Sequence, residues 1–288
     1  MTISEAIQEV SGLLGTAGSD DDSSLWQAKV LVAHAITIKP SQLHLKHDFL
    51  LDLRQKEELF LMVEKRISGI PLQHVIGEWD FYGRTFTVDK RALIPRPETE
   101  LLVEFITKTE LPSRPLILDV GTGSGIIGIT LALEIPQSKV IGTDISTSAV
   151  ELANENRKLL NAENYSAANC HLANIPPAVH SISKDGKFDV IVANLPYIPS
   201  ENISSLQSEV RNHDPLLALD GGSGGTLLIL ELIETIPEKI GSGGLVVLET
   251  GYDQEISVPS LFNRKLWSDI RTVKDLWGNH RMVTAIRR

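Results

Sequence analysis

The chain has 288 residues, of which 42% are hydrophobic, and a formal net charge of -10. This length fits one or two domains, and the acidic balance argues against broad, non-specific attraction to nucleic acid, which needs clustered Lys and Arg. The one cysteine, Cys170, excludes an intramolecular disulfide and a zinc site built from cysteines. No apolar run reaches the length of a membrane span, and the first residues lack a signal-peptide pattern, so we expect a cytoplasmic protein.

Residues 1–74 are predicted to form a small helical bundle domain. A polar, acidic loop is expected at 15–24, with Asp22 or Ser23 capping the helix that follows. Pro40 interrupts the chain, and the last helix ends before Gly69. Short amphipathic helices must bury their apolar stripes against each other. Apolar residues recur at helical spacing in three segments: Ile3, Ile7, Val10 and Leu14; Leu25, Ala28, Val32 and Ala35; and Leu59, Met62, Val63 and Ile67.

Residues 75–92 are predicted to form a β-hairpin linker, with two short strands on either side of Tyr82-Gly83. The next segment is Leu93-Ile-Pro-Arg-Pro-Glu-Thr-Glu100, in which Pro97 suits the first turn of a helix. Its acidic residues favour the positive end of that helix. The segment is either a capped helix start or a lid over a pocket, and the sequence leaves both open.

Residues 93–288 are predicted to form an α/β domain, because strand-like apolar runs alternate with helical patterns. This alternation is typical of a mostly parallel sheet with helices on both faces. The glycine-rich segment 221–225 is expected to be a turn, since no strong strand precedes it. Strands are expected at 115–120, 139–144, 166–172, 187–194 and 244–250, with two more in the tail at 265–272 and 282–286; helices are expected at 124–135, 147–160, 225–239 and 252–263.

The first predicted strand of this domain ends in a glycine-rich turn, Asp119-Val-Gly-Thr-Gly-Ser-Gly125. Glycines let the backbone approach a ligand, and the helix that follows offers free N–H groups. Asp144 ends the next predicted strand, where a carboxylate can bind ribose hydroxyls. The pair predicts a nucleoside-containing cofactor, either a dinucleotide or S-adenosylmethionine. A tight turn without a ligand is the structural alternative.

A second motif separates the two cofactors. A predicted strand runs directly into Asn194-Leu-Pro-Tyr197, and ligands of open α/β sheets bind at the carboxyl ends of strands. The Asn194 side-chain oxygen and the carbonyl before Pro196 can each accept an N–H of a planar NH2 group, which orients its lone pair toward a methyl donor. Tyr197 offers a flat face to a planar substrate. An Asx-type turn that closes the strand is the alternative.

These segments together resemble the class I S-adenosylmethionine-dependent amino-methyltransferases, and in particular one branch of them, the PrmC/HemK family. The helical N-terminal domain and residues 93–100, Leu216-Leu-Ala-Leu-Asp-Gly-Gly222 and Leu248-Glu-Thr-Gly-Tyr252 carry the resemblance to that branch. The family methylates the side-chain amide nitrogen of the glutamine in the Gly-Gly-Gln motif of bacterial peptide chain release factors. The resemblance therefore implies a Rossmann-like methyltransferase sheet in residues 93–288, S-adenosylmethionine as cofactor, and release factors as partners docked with help from the helical domain.

The resemblance also assigns residues to roles. Catalysis falls to Asn194, Pro196 and Tyr197, and binding of the glutamine to the same residues together with Leu195. Cofactor binding falls to Gly121, Thr122, Gly123, Ser124, Gly125, Asp144, Ile145, Asn174 and Asn194.

Two positions depart from the family pattern. The family usually has Asn-Pro-Pro-Tyr, and Leu195 replaces the first proline here, so that the motif is also similar to that of adenine-N6 dimethyltransferases of ribosomal RNA. The family often has an aspartate after the third strand, near the adenine; here the segment is His171-Leu-Ala-Asn174, and Asn174 is predicted to take the polar role.

The resemblance thus implies a protein-(glutamine-N5) methyltransferase, which we expect to act by direct in-line transfer, without a metal or a covalent intermediate. The alternatives are an adenine-N6 methyltransferase of RNA or DNA, a binding module without activity, and a nicotinamide dehydrogenase. His44 and His47 have helical spacing, but no third ligand at matching spacing supports a metal site. We expect a monomer that contacts neither nucleic acid directly nor a membrane.

Overall fold

A computed structural model describes residues 1–17, 21–175 and 186–288, in two compact units, Met1–Glu78 and Trp79–Arg288. Within its described residues, the first unit is helical, with a 3₁₀ segment at Pro40–Leu45. Thr2 caps the first helix by accepting the Glu5 N–H, because the first N–H groups of a helix have no partner within it. The helices are α1 (Ile3–Thr16), α2 (Asp21–Ala35), α3 (Leu53–Ile67) and α4 (Leu72–Ile76).

The loop predicted at 15–24 is wrong at both ends. Helix α1 continues to Thr16 and α2 begins at Asp21, so Asp22 and Ser23 lie within a helix and do not cap it. Polar residues of α2 find partners inside the unit, since the Ser24 and Ser11 hydroxyls are 3.4 Å apart. Part of the predicted loop, 18–20, lies outside the described residues.

The predicted hairpin is formed by β1 (Glu78–Phe81) and β2 (Arg84–Thr87), and all of it except Glu78 lies at the start of the second unit. The turn residues Tyr82 and Gly83 have φ angles of 49° and 74°, the left-handed pair that matches the twist of two-residue hairpins. A 3₁₀ turn, Pro97–Thr99, then leads into α5 (Glu100–Lys108).

A seven-stranded sheet with the order β5-β4-β3-β6-β7-β9-β8 forms the centre of this unit. Neighbouring strands from β5 to β7 are parallel, whereas β9 is antiparallel to both of its neighbours. The strands are β3 (Leu116–Val120), β4 (Lys139–Asp144), β5 (Tyr165–Asn169), β6 (Phe188–Ala193), β7 (Ile240–Glu249), β8 (Trp267–Lys274) and β9 (His280–Arg287).

Helices cover both faces of the sheet and enclose two hydrophobic cores. Leu116, Leu118 and Val120 of β3 lie in one core and Ile117 lies in the other, as the alternation of side chains along a strand requires. The described helices that follow α5 are α6 (Ile126–Glu134), α7 (Thr147–Leu159), α8 (Ser208–His213), α9 (Leu227–Thr235) and α10 (Ser257–Leu261). Among the residues the structure describes, no helix has both the length and the apolar character to cross a membrane.

Two predicted elements are wrong in extent. The helix expected at 252–263 is reduced to α10, because the Gln254 side chain accepts the Gly251 N–H and donates to the Tyr197 and Gly225 carbonyls, which holds the preceding residues in a turn. The strand expected at 166–172 ends at Asn169, and Leu172 beyond it has a φ of 46°, which no strand accommodates.

Gly142 of β4 leaves no room for a side chain, and we expect Gly142→Ala to destabilise the fold. An added Cβ would lie 2.2 Å from the Tyr165 hydroxyl and 2.7 Å from the Thr122 hydroxyl. Overpacking of this kind costs roughly 1–3 kcal/mol of unfolding free energy. Urea denaturation measures the loss, with Gly241→Ala in β7 as control, since the nearest atoms to its Cβ lie at 3.8 Å. Equal stability of the two variants would contradict this packing.

Candidate active site

Four neighbouring strands end at the same level of the sheet. Val120 of β3 pairs with Thr143 of β4 and with Ala193 of β6, and Ala193 pairs in turn with Leu248 of β7. Parallel strands that end together bring the next residues of each to one edge. The residues that follow these pairs therefore lie in a row, in the order Asp144, Gly121, Asn194 and Glu249.

A cavity of about 610 Å³ opens along this row, a volume suited to a small organic ligand. Most of its described lining is apolar and comes from loops at the carboxyl edge of the sheet. It brings together many of the residues selected from the sequence: Gly121, Gly123, Asp144, Ile145, Asn194, Leu195 and Pro196.

Asp144 holds the glycine turn against the next strand. Its Oδ2 accepts the Gly123 N–H at 2.9 Å, and its Oδ1 accepts the Ser146 N–H at 2.9 Å. Gly121 and Gly123 have φ angles of 70° and 55°, which side chains rarely adopt. Burial raises the pKa of the Asp144 carboxyl above its ordinary value, against the effect of these hydrogen bonds.

Thr122, Ser124 and Gly125 are not among the described residues that line the cavity. Thr122 lies beneath the turn, where its hydroxyl donates to Asp119 Oδ2 at 2.5 Å and lies 2.9 Å from the Tyr165 hydroxyl. Since the single Thr122 proton goes to Asp119, the Tyr165 hydroxyl donates to Thr122. Burial raises the pKa of Asp119 to about 7. Thr122, Asp119 and Tyr165 therefore form a buried hydrogen-bonded support for the glycine turn.

Asn174 is exposed and is not among the described cavity-lining residues. The wall on this side is formed by His171 and Leu172, and His171 Nε2 lies 2.7 Å from Glu231 Oε1, which also lines the cavity. The role of Asn174 near the adenine stays a prediction.

A chain of buried polar groups lies behind Asn194. Its Nδ2 donates to the Thr99 hydroxyl at 3.3 Å, and that hydroxyl donates to Glu249 Oε2 at 2.7 Å. The Tyr197 hydroxyl donates to the other oxygen, Glu249 Oε1, at 3.5 Å. Thr99 and Glu249 are only 1% and 3% exposed. Burial raises the pKa of Glu249 to about 7.

Sequence reasoning missed Thr99 and Glu249 as site residues, although both lie in segments that carry the family resemblance. The signal was present for Glu249, because an acidic residue directly after an apolar strand lies at the edge where ligands bind. Thr99 is 150 residues away in the chain, and no local pattern connects the two.

The glycine-rich segment at 221–225 packs directly on the Asn-Leu-Pro-Tyr backbone. A Cβ on Gly221 would lie 2.6 Å from the Pro196 carbonyl oxygen, and one on Gly225 would lie 2.2 Å from the Tyr197 carbonyl oxygen. The segment is a turn, as predicted, and its lack of side chains permits this close approach.

The segment 93–100 joins the wall of the cavity to the start of a helix. Leu93 contributes to the wall, and Pro97–Thr99 forms the turn that enters α5. The Asp214 carboxylate ties this segment to the opposite wall, because it pairs with Arg96 at 3.0 Å and accepts the Ile94 N–H at 3.4 Å. The next residues, Pro215 to Ala218, line the cavity from that side.

Comparison with known proteins gives the family. Residues 115–218 match a methyltransferase domain, and residues 5–77 match the PrmC N-terminal domain. A release factor glutamine methyltransferase from Caulobacter vibrioides is 38% identical, with 78% of this chain and 76% of the relative covered. The chain belongs to the release factor glutamine methyltransferase family. Another member, from Bacillus cereus, is 32% identical over 99% of both chains.

The fold of this family member also has a solved counterpart. A methyltransferase from Pyrococcus furiosus superposes with a TM-score of 0.51 and 18% sequence identity, over 81% of this chain and 97% of that one. Membership of the release factor glutamine methyltransferase family confirms the predicted family, the α/β fold and the methyltransferase class, and it excludes the nicotinamide dehydrogenase. Within residues 1–17, 21–175 and 186–288, no group of three His, Cys, Asp or Glu could hold a metal.

Proposed function

We propose that this chain transfers a methyl group from S-adenosylmethionine to the side-chain amide N5 of the glutamine in the Gly-Gly-Gln motif of peptide chain release factors. The observation that supports it most strongly is the position of Asn194. It lies one strand from the glycine turn, and its NH2 group already donates to Thr99. Its Oδ1 is therefore left as an acceptor for the NH2 group of a substrate amide.

The residues of the cavity fit S-adenosylmethionine. Gly121 and Gly123 form a cradle that side chains would fill, since a Cβ on Gly121 would lie 3.0 Å from the Leu195 side chain. Asp144 supplies a carboxylate for the ribose hydroxyls, and Ile145 offers apolar surface to the adenine. When bound, the cofactor would supply an electrophilic methyl group, and the protein would bind and orient the cofactor and the substrate amide.

The substrate amide is poorly nucleophilic because its nitrogen lone pair is delocalised. Asn194 Oδ1 can accept one of its N–H groups and the Leu195 carbonyl can accept the other, which fixes the plane of the amide and stabilises positive charge as it develops. Pro196 restricts Leu195 to extended backbone and so directs that carbonyl. Leucine has the same backbone carbonyl as the usual proline, so the substitution keeps the proposed acceptor. The Leu195 side chain is buried against the glycine turn.

The proposed reaction uses residues of one chain, so we propose a monomer as the working unit. We place it in the cytoplasm, where release factors act, with no direct contact to nucleic acid or membrane. We also propose that residues 1–74 help to dock the release factor, since the match to the PrmC N-terminal domain supports a role specific to this family.

Mass spectrometry of a release factor after incubation with the chain and S-adenosylmethionine tests this function. We expect one added methyl group on the peptide that contains Gly-Gly-Gln, and none when that glutamine is replaced by alanine. RNA is incubated in parallel, because Asn194-Leu-Pro-Tyr197 is also similar to the motif of adenine-N6 methyltransferases. Methylation of RNA alone would reject the proposal in favour of that alternative, and cofactor binding without transfer to either would favour a binding module.

A further inference from the structure

The hydrogen bonds from Asn194 to Thr99 and from Thr99 to Glu249 form a relay whose direction is defined when Glu249 is ionised. An ionised carboxylate only accepts hydrogen bonds, so the single proton of the Thr99 hydroxyl must point to Glu249, at 2.7 Å. The Thr99 oxygen is then an acceptor toward Asn194, at 3.3 Å. If the Asn194 amide turned over, two acceptor oxygens would face each other at this position. The relay therefore selects one of the two orientations of the amide.

The burial of this relay indicates that it contributes something other than stability to the protein. Burying a carboxylate such as Glu249 is costly, and an apolar side chain of the same size would avoid that cost. Thr99 and Glu249 are 150 residues apart in the chain, and the hydrogen bond between them lies next to the Asn194 amide. A buried polar network with every member paired defines one geometry rather than several.

We propose that Thr99 and Glu249 are positioning residues for the transfer, which hold the Asn194 amide with its oxygen toward the substrate NH2 group and its nitrogen away from it. This inference rests on the proposed function. With the amide reversed, an NH2 group of Asn194 would face the NH2 group of the substrate, and the nitrogen lone pair would not be oriented. Neither positioning residue needs to touch the substrate or the cofactor.

The groups around Glu249 determine when the relay has its direction. Hydrogen bonds from Thr99 and Tyr197 and the positive charge of Arg281 favour the ionised form, whereas burial and the negative charge of Glu98 favour the neutral form. Burial is the largest of these effects and raises the pKa of Glu249 to about 7. A protonated Glu249 can itself donate, so Thr99 becomes free to donate to Asn194 and the selection is lost. The rate of transfer should therefore fall as the pH falls through about 7.

Variants of Thr99 test the relay directly. Thr99→Val keeps the shape but removes the hydroxyl, and we expect kcat to fall about tenfold or more while the affinity for S-adenosylhomocysteine is unchanged. Thr99→Ser restores the hydroxyl and should restore most of the rate. Thr107→Val is the matched control, because the Thr107 hydroxyl donates to carbonyls of its own helix, α5. A wild-type kcat in Thr99→Val, or equal loss in Thr99→Ser, would overturn the inference.

The pH profile of Glu249→Gln gives a second readout that a merely structural role would not change. The carbonyl of Gln can accept from Thr99 at every pH, so we expect the rise of kcat through about pH 7 to disappear in this variant. Thermal unfolding identifies any loss of folded protein. A rise that persists unchanged in folded Glu249→Gln would reject the role of Glu249.

Nitrogen-15 NMR separates this inference from the proposed function, since it needs no substrate. The side-chain NH2 signal of Asn194, assigned by its absence in Asn194→Ala, should shift in Thr99→Val and stay in place in Thr107→Val. If wild-type protein leaves release factors unmethylated but the Asn194 signal shifts in Thr99→Val, the function is rejected and the relay is kept. If wild-type protein methylates them but the signal does not shift in Thr99→Val, the relay is rejected and the function is kept.

Discussion

Asn194→Ala is expected to lower the rate of methyl transfer roughly 100- to 1,000-fold, the loss that follows removal of one group aimed at developing charge in a reaction. The variant removes the acceptor Oδ1 and also leaves the Thr99 hydroxyl without its donor, at 3.3 Å. Cofactor affinity should change little, because Asn194 is one of several residues proposed to contact the cofactor, and the glycine turn and Asp144 are retained in the variant. The large effect should therefore be on kcat.

Single-turnover transfer of label from S-adenosylmethionine to a release factor measures this loss, and calorimetry with S-adenosylhomocysteine measures the affinity. Asn202→Ala is the control, since Asn202 is exposed in the turn Ser200–Ser205. Asn194→Asp adds a sharper comparison, because it keeps the size and an acceptor but removes the NH2 group that donates to Thr99. Turnover near the wild-type rate in Asn194→Ala would reject the proposed chemistry.

The row of strand ends shows which residues of the site could be predicted from the sequence. Apolar runs that end in Gly121, Asp144 and Asn194 were sufficient to predict one ligand edge, because parallel strands of one sheet expose their carboxyl ends together. The same rule applies to Glu249, which ends the next strand in space. Its partner Thr99 could not be predicted, since only the folded chain joins residues 150 positions apart.

The errors in the predicted extents of helices and strands also arise from contacts between residues that only the folded chain brings together. The helix pattern at 252–263 is real, but hydrogen bonds from the Gln254 side chain to the Tyr197 and Gly225 carbonyls outweigh the helical preference of the preceding residues. Likewise, the polar residues expected in a loop at 21–24 lie in α2, where Ser24 is buried in the bundle. Tertiary contacts of polar side chains are not visible in hydrophobic periodicity.

Asp144→Ala is expected to weaken cofactor binding about 100-fold, and this is the largest effect on affinity that we expect from a single side chain. Two charge-assisted hydrogen bonds to ribose hydroxyls are together worth roughly 3 kcal/mol or more, which corresponds to that ratio. The carboxylate also accepts the Gly123 and Ser146 N–H groups, each at 2.9 Å. Loss of Asp144 should therefore loosen the glycine turn as well as remove the proposed contact to the ribose.

Calorimetry with S-adenosylhomocysteine measures this affinity in Asp144→Ala and in Asp144→Asn. Asp189→Asn is the matched control, because Asp189 Oδ2 accepts the Leu116 N–H at 2.8 Å, an equivalent contact at the start of β3.

The pH dependence of cofactor affinity has a definite sign. The ionised carboxylate is the acceptor and burial raises the pKa of Asp144, so affinity should be lost as the pH falls, and at a higher pH than for an exposed aspartate. Unchanged affinity in both variants would contradict the assignment.

Direct contact with the ribose and support of the glycine turn can be separated by pairing the Asp144 variants with a cofactor analogue. S-adenosylhomocysteine with a 2′-deoxyribose lacks one of the proposed partners of the carboxylate. If Asp144 binds the ribose, the missing hydroxyl should weaken binding to the wild type but have little further effect in Asp144→Ala, since the losses of two interacting groups are not additive. If Asp144 only supports the turn through Gly123, the two losses should add, and the ribose contact would be rejected.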